Sequence, residues 1–268
     1  MRIALGQLAS GTDITGNLAA IAGFARQAAE GGARILILPE YATYEKKVLD
    51  ASFPEVAEPL DGPVCSELSR IAQAHGIALV AGVVETSDES GRAYNTLVAF
   101  GPDGRRLAVY RKIHLFDAQG YAESTFIKPA PLVEPTFFDF DGVRFGLMTC
   151  YDLRFPELAR SLSDAGAEVL LTCAAWVPGK HKTNQWRSLT AARAIENGVY
   201  LAGACQAPPV SIGHSVLLDP MGAVIEELGV DPALIVADIP LDAVTSVRNE
   251  FPVSRQRRLL PQHKSRAG

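Results

Sequence analysis

Three side chains at the ends of apolar runs could together perform acyl transfer. Glu40 follows Ile35-Leu36-Ile37-Leu38-Pro39, Lys112 follows Val109-Tyr110-Arg111, and Cys150 follows Gly146-Leu147-Met148-Thr149. In sheets covered by helices, ligand sites form beyond the carboxyl ends of strands, so positions of this kind can converge. In such a constellation the thiol attacks carbon, the carboxylate accepts the thiol proton, and the ammonium stabilises the negative charge that develops. The obstacle is acidity: carboxylate (~4.3) and thiol (~8.5) lie about 4 units apart, roughly 5.7 kcal/mol against transfer in water. Enclosure narrows the gap, because burial raises the carboxylate while a neighbouring cation and a helix start favour thiolate. On this reading Cys150 is the one thiol that is rapidly alkylated in the native protein.

The remaining thiols suggest no chemistry. Cys173 and Cys205 sit inside apolar segments and Cys65 on an amphipathic helix, so all three read as small buried hydrophobes. No CxxC pair points to zinc or a redox motif, and neither a metal nor a cofactor is expected. None of His75, His114, His181, His214 and His263 lies in a papain-like or caspase-like signature, which disfavours a Cys–His pair.

The elements that must position these residues alternate. Arg2 to Leu8 reads as a strand, Asn17 to Glu30 as a helix with Leu18, Ile21, Phe24, Ala25 and Ala28 on one face, and Ile35 to Leu38 as a strand buried on both sides. A helix over Leu60 to His75 and a strand over Ile77 to Glu85 follow. The pattern then changes to hairpins around Pro102-Asp103-Gly104, Asp141-Gly142 and Pro220-Met221-Gly222. Helices near Pro156 to Ala165 and Thr183 to Asn197 alternate with strands at Glu168 to Thr172 and Val199 to Ala204. A last strand spans Leu234 to Ile239, before a short helix near Asp242. Three hairpins exceed what a simple doubly wound sheet needs; two mixed sheets packed face to face with helices outside fit better.

Composition excludes several function classes. The chain has 268 residues, 48% hydrophobic and 21% charged, which suits a globular protein and not a disordered or fibrous one. Its formal net charge of −5 offers no general attraction to nucleic acid or anionic lipid. The longest apolar runs fall far short of the ~20 residues that cross a bilayer. The first residues lack the apolar stretch of a signal peptide. Reduced thiols and a cytoplasmic location are expected, as is one domain over residues 1–258 with a partly disordered tail over 259–268.

The segments Ile35 to Glu40, Tyr110-Arg111-Lys112-Ile113-His114-Leu115-Phe116-Asp117 and Gly146 to Leu158 resemble the three ordered catalytic signatures of the nitrilase superfamily, the carbon–nitrogen hydrolases. The similarity extends from the first strand to Phe251-Pro252-Val253-Ser254-Arg255-Gln256-Arg257-Arg258. It implies a four-layer αββα sandwich. It also implies Cys150 as nucleophile, Glu40 as base, Lys112 with the Tyr151 backbone N–H as oxyanion stabilisers, and Glu123 as the family's second glutamate.

The stretch Ala174-Ala175-Trp176-Val177-Pro178-Gly179-Lys180-His181-Lys182 looks most like amidases for deaminated glutathione. The expected substrate is a small carboxylate-bearing amide, and the expected assembly a homodimer or higher oligomer. Tyr44, Arg154, Trp176 and His181 are the candidate substrate-binding residues. Trp176 reads equally as cavity wall or core, and Lys180-His181-Lys182 could meet a carboxylate, although basic triplets in loops are more often solvated. Arg193 and Glu196, three apart on a helix, read as a surface or interface ion pair. The alternatives are an ω-amidase, an N-carbamoyl amide hydrolase or a nitrilase; in a different class stands an inactive binding protein of this fold.

Overall fold

Strands whose successive side chains enter two different apolar surroundings must be covered on both faces, and this chain shows the pattern repeatedly. The computed structural model describes residues 1–131 and 134–259. In chain order its elements are β1 (Arg2–Gln7), α1 (Ile14–Glu30), β2 (Ile35–Ile37), α2 (Ser52–Val56), α3 (Pro63–His75), β3 (Ala78–Thr86), β4 (Ala93–Phe100) and β5 (Arg106–Arg111). Then come β6 (Phe137–Phe140), β7 (Val143–Thr149), α4 (Pro156–Asp164), β8 (Val169–Ala174), α5 (Lys182–Asn197), β9 (Tyr200–Cys205), β10 (Val216–Leu218), β11 (Val224–Glu227), β12 (Ala233–Asp238), α6 (Asp242–Glu250) and α7 (Val253–Gln256). Of the expected tail, only Leu259 falls within the described residues.

The strands form two six-stranded sheets, ordered β12-β1-β2-β3-β4-β5 and β11-β10-β9-β8-β7-β6. Each has a parallel centre, β1-β2-β3 and β7-β8-β9, extended by antiparallel strands. Ile3, Leu5, Ile35, Ile37 and Val80 share a core with Phe145 and Leu147 of the facing sheet. Their sequence neighbours Ala4, Leu36, Leu79 and Ala81 instead pack with Ile21, Ala25, Leu68 and Ile71 of α1 and α3. Leu158 and Leu162 of α4 and Trp186 of α5 cover the second sheet. The result is a four-layer αββα sandwich, in which each fully buried Leu or Ile contributes roughly 1.5–3 kcal/mol.

Local signals set the boundaries. Asp13 caps α1 by accepting from the Gly16 N–H at 3.1 Å, and Gly76 closes α3 in the left-handed conformation at φ 59°. The β6–β7 hairpin turns through Asp141 and Gly142 at φ 51° and 79°, the paired positive values of a type I′ turn.

Candidate active site

Glu40 lies just past β2, where the Leu38 N–H still donates to the Val80 carbonyl at 2.8 Å. The chain then turns sharply, with Tyr41 at φ 54°, a conformation uncommon outside glycine. This turn presses on β3 so closely that a Cβ at Gly82 would stand 2.4 Å from the Tyr41 nitrogen and 2.8 Å from the Glu40 carbonyl carbon. Glycine at 82 is therefore a steric requirement of where Glu40 sits.

Lys112 leaves β5 with its N–H bonded to the Asn95 carbonyl at 2.8 Å, and Glu123 enters from a short helical turn over Glu123–Thr125. Lys112 is buried, and its ammonium donates to Glu40 Oε1 at 2.9 Å and to Glu123 Oε1 and Oε2 at 3.0 and 2.9 Å. The Asn95 amide spans the same two carboxylates, at 2.6 Å from Glu40 and 3.2 Å from Glu123. Backbone N–H groups of Ala175 and Phe116 complete them, at 2.7 Å to Glu40 Oε2 and 2.6 Å to Glu123 Oε2. Burial alone would make Lys112 shed its proton, but Glu123 and Glu40, with Cys150 beyond, outweigh it and hold the ammonium pKa well above the lysine norm.

Cys150 follows β7 at φ 45°, held in a left-handed conformation by the turn after it. Asp152, fully buried, organises that turn. Its Oδ2 accepts from Tyr110 Oη at 2.6 Å and the Thr149 N–H at 2.9 Å, while its Oδ1 accepts from the His114 N–H at 3.2 Å and lies 2.7 Å from His114 Nδ1. The Arg193–Glu196 ion pair forms at 2.9 Å, with its Glu196 end half-buried and its Arg193 end inside the fold and not at the surface. Arg193 is buried and donates to the Leu153 carbonyl at 3.0 Å, tying α5 to the nucleophile turn.

Enclosure acts on Cys150 as well as on the carboxylate. Burial, reinforced by the Glu40 charge, pushes the thiol well above its usual range despite Lys112, which favours thiol over thiolate at rest. Burial also raises Cys65 to about 11 and Cys205 to about 12. Cys150 alone of the four lines the cavity described next. It should be the first thiol that iodoacetamide modifies, but at neutral pH at least about tenfold more slowly than a free cysteine peptide, with the rate rising at alkaline pH. Peptide mapping over a pH series measures this; a rate already maximal at neutral pH contradicts the neutral-thiol state.

A cavity of about 360 Å³ opens above these groups, lined by Glu40, Lys112, Glu123, Cys150, Tyr41 and Glu45, with segments 46–49 and 119–126 at its rim. A second, much smaller cavity adjoins Cys150 and is lined by Phe116, Tyr151, Trp176 and Lys182 among others. Trp176 is thus both buried core and wall. Arg154 is half-buried, with its guanidinium 4.8 Å from the centre of the Trp176 ring and 2.7 Å from Gln185 Oε1. Two candidates lie elsewhere. Tyr44 turns away to pack edge-on against Phe53 and donates to Ser52 Oγ at 2.7 Å, and His181 is exposed at the start of α5.

Several residues of the site escaped the sequence reading. Lys182, read there as part of a solvated triplet, is buried, with its ammonium 4.7 and 5.0 Å from the Phe116 and Trp176 rings. Asn95 and Asp152 were also missed. The polar Asn-Thr pair inside the otherwise apolar Ala93–Phe100 strand was the available signal for Asn95, because a polar residue in a buried strand needs partners.

Residues 2–249 match the carbon-nitrogen hydrolase family. Among curated proteins, the chain is 36% identical to ω-amidase NIT2 of Homo sapiens over 96% of this chain and 95% of that one. It is likewise 36% identical to the deaminated glutathione amidase of Escherichia coli O157:H7, over 97% and 98%. Among solved structures, a mutant of the Nesterenkonia amidase from the nitrilase superfamily superimposes with a TM-score of 0.80 at 29% identity, covering 95% of this chain and 97% of the other.

Proposed function

We propose, because the chain belongs to the carbon–nitrogen hydrolase family, that it is an amidase cleaving a small carboxylate-bearing amide through a Cys150 thioester. The observation that carries this reading is the Lys112 ammonium, hydrogen-bonded to both Glu40 and Glu123 in a cavity that Cys150 also lines. As Sγ attacks the amide carbonyl carbon, Glu40 takes the thiol proton. A concerted transfer suits a thiol that is neutral at rest. The oxyanion is met by Lys112 and by the Tyr151 N–H, which sits in the first turn of a short helix where N–H groups lack intrahelical acceptors. One such donor is worth about 3–4 kcal/mol. Glu40 then passes its proton to the leaving nitrogen, the carbon–nitrogen bond breaks, and ammonia or an amine departs. Water attacks the thioester as Glu40 removes its proton, the carbon–sulfur bond breaks, and the proton returns to sulfur. Glu123 keeps Lys112 in place and charged.

Arg154 and Lys182 support a carboxylate on the substrate. Neither forms an ion pair with an acid among the described residues. Burial lowers the Lys182 ammonium from its usual pKa, so an incoming carboxylate that offsets this burial is favoured.

Relatives named ω-amidase and deaminated glutathione amidase are the reason to test both substrate types. Release of ammonia or free amine should be followed with 2-oxoglutaramate, deaminated glutathione, N-carbamoyl amino acids and aliphatic nitriles, with Cys150→Ala as the blank. Carboxylate-bearing amides should exceed nitriles by at least about tenfold in kcat/KM. Retention of turnover in Cys150→Ala, or a clear preference for nitriles, rejects the reading. No helix among the described residues is long and apolar enough to cross a membrane, and the four cysteines are free, as in the reducing cytoplasm. A homodimer is supported by exposed Ile195 on α5, which adjoins Gly222 in the β10–β11 turn beside exposed Met221 and Val224.

A further inference from the structure

Of the acids that line the cavity, Glu40, Glu45 and Glu123, the mechanism leaves Glu45 unused. Glu45 follows Glu40 in the loop after β2, is 2% exposed, and lines the cavity with Glu40, Lys112, Glu123 and Cys150. Its Oε1 accepts from the Lys46 N–H at 2.7 Å, but its Oε2 is buried with no hydrogen-bond partner among the described residues. Of the nearby ammonium groups, Lys46 pairs with Asp50, Lys112 is held by Glu40 and Glu123, and Lys47 is exposed at the rim and makes no hydrogen bond to Glu45. Leaving a buried polar atom unmatched is unfavourable, a cost that disappears when a ligand supplies the missing partner.

We propose that Glu45 is a specificity-determining residue which donates a hydrogen bond from Oε2 to an oxygen on the acyl chain of the bound amide. The inference rests on the amidase reading above. Burial and the charges of Glu40 and Glu123 raise the Glu45 carboxyl well above the carboxylate range, against the Lys46 N–H and Lys112, so Oε2 carries a proton to give. A neutral donor selects for an acceptor. A carbonyl, hydroxyl or carboxylate oxygen completes it, a methyl leaves it unmatched, and an ammonium sets donor against donor. The substrate class is thereby narrowed to amides whose acyl chain carries an oxygen within reach of the 45–49 loop, in addition to the group met by Arg154 and Lys182.

The test compares hexanamide with its isostere bearing a terminal hydroxyl in place of the methyl. The wild-type protein should favour the hydroxyl compound by about tenfold or more in kcat/KM, because a site with a buried donor rejects the analogue that cannot accept. Glu45→Gln keeps a donor and should keep most of that ratio, whereas Glu45→Leu should bring it to within about twofold of unity. A ratio unchanged in Glu45→Leu overturns the proposal, including when both rates fall together, as a purely structural role predicts. If the wild-type protein hydrolyses neither amide for want of the carboxylate that Arg154 and Lys182 would meet, calorimetric binding of both compounds to Cys150→Ala reads the same preference, and equal affinities overturn the proposal; the amidase reading itself stands or falls on the carboxylate-bearing amides above. Should Glu45→Leu not fold, the infrared difference spectrum between wild type and Glu45→Gln decides: a protonated-carboxyl band supports the donor, and a carboxylate band overturns it.

Discussion

Lys112→Met is expected to slow acylation at least about a thousandfold and to destabilise the fold by about 3–5 kcal/mol. The kinetic part combines a lost oxyanion donor, about 3–4 kcal/mol, with the loss of the charge that holds Glu40 in place. The stability part follows from burial. Lys112 and both its carboxylates are almost inaccessible, and removing one member of a buried ion cluster leaves the others uncompensated. This departs from a purely catalytic role for Lys112, which would give an inactive variant that folds normally, and from a surface lysine ending a strand, whose loss would change neither stability nor rate. Glu123→Gln should be destabilising by itself but partly restorative beside Lys112→Met, because it then removes a repelling charge; a double-mutant cycle in urea measures that coupling. Rapid-quench acylation on the folded variant measures the kinetic loss. Near-normal acylation by folded Lys112→Met would exclude the oxyanion role.

Glu40→Gln separates base catalysis from mere support. The carboxamide keeps the shape but cannot take a proton, so amide acylation should fall by about a thousandfold, within the range known for positioned general bases. Alkylation of Cys150 should change in the opposite sense. The Glu40 charge is, after burial, what holds the thiol pKa up; without it Lys112 favours thiolate, and iodoacetamide should react faster than with wild type. A structural role for Glu40 lowers both rates together. Measuring hydrolysis and alkylation on the same preparation therefore distinguishes the two, and a joint fall rejects the base assignment.

Local signals were enough to place Glu40, Lys112 and Cys150, because each ends an apolar run and strand ends in such sheets converge. The layering was legible for a similar reason: short apolar strands, hairpin turns and amphipathic helices are all written within a dozen residues. What escaped depends on contacts between distant segments. Asn95 meets Glu40 across 55 positions, and Arg193 meets Leu153 across 40, so neither burial nor partner is visible from neighbours in the chain. Lys182 looked solvated because its triplet is polar, yet its ammonium lies over the aromatic rings of Phe116 and Trp176. Tyr44 looked close to the site because it is close to Glu40 in sequence; the left-handed turn at Tyr41 redirects the chain and sends it toward Phe53. Enclosure was counted for the carboxylate, but its weight on the Cys150 thiol depends on how fully the fold buries that residue, which neighbours in the chain do not show.

The contact between Gly82 and the Glu40–Tyr41 backbone also bears on how this scaffold can diversify. With no room for even one carbon at position 82, β3 cannot take a side chain there without displacing the Glu40 backbone, and with it the carboxylate on which the proposed chemistry depends. The rim is under no such restriction, since Val48 is 61% exposed and Lys47 faces solvent. Selection for new amides would therefore leave its record in the 45–49 and 119–126 segments. A library confined to those residues should yield altered substrate ranges at a far higher frequency than one directed at β3.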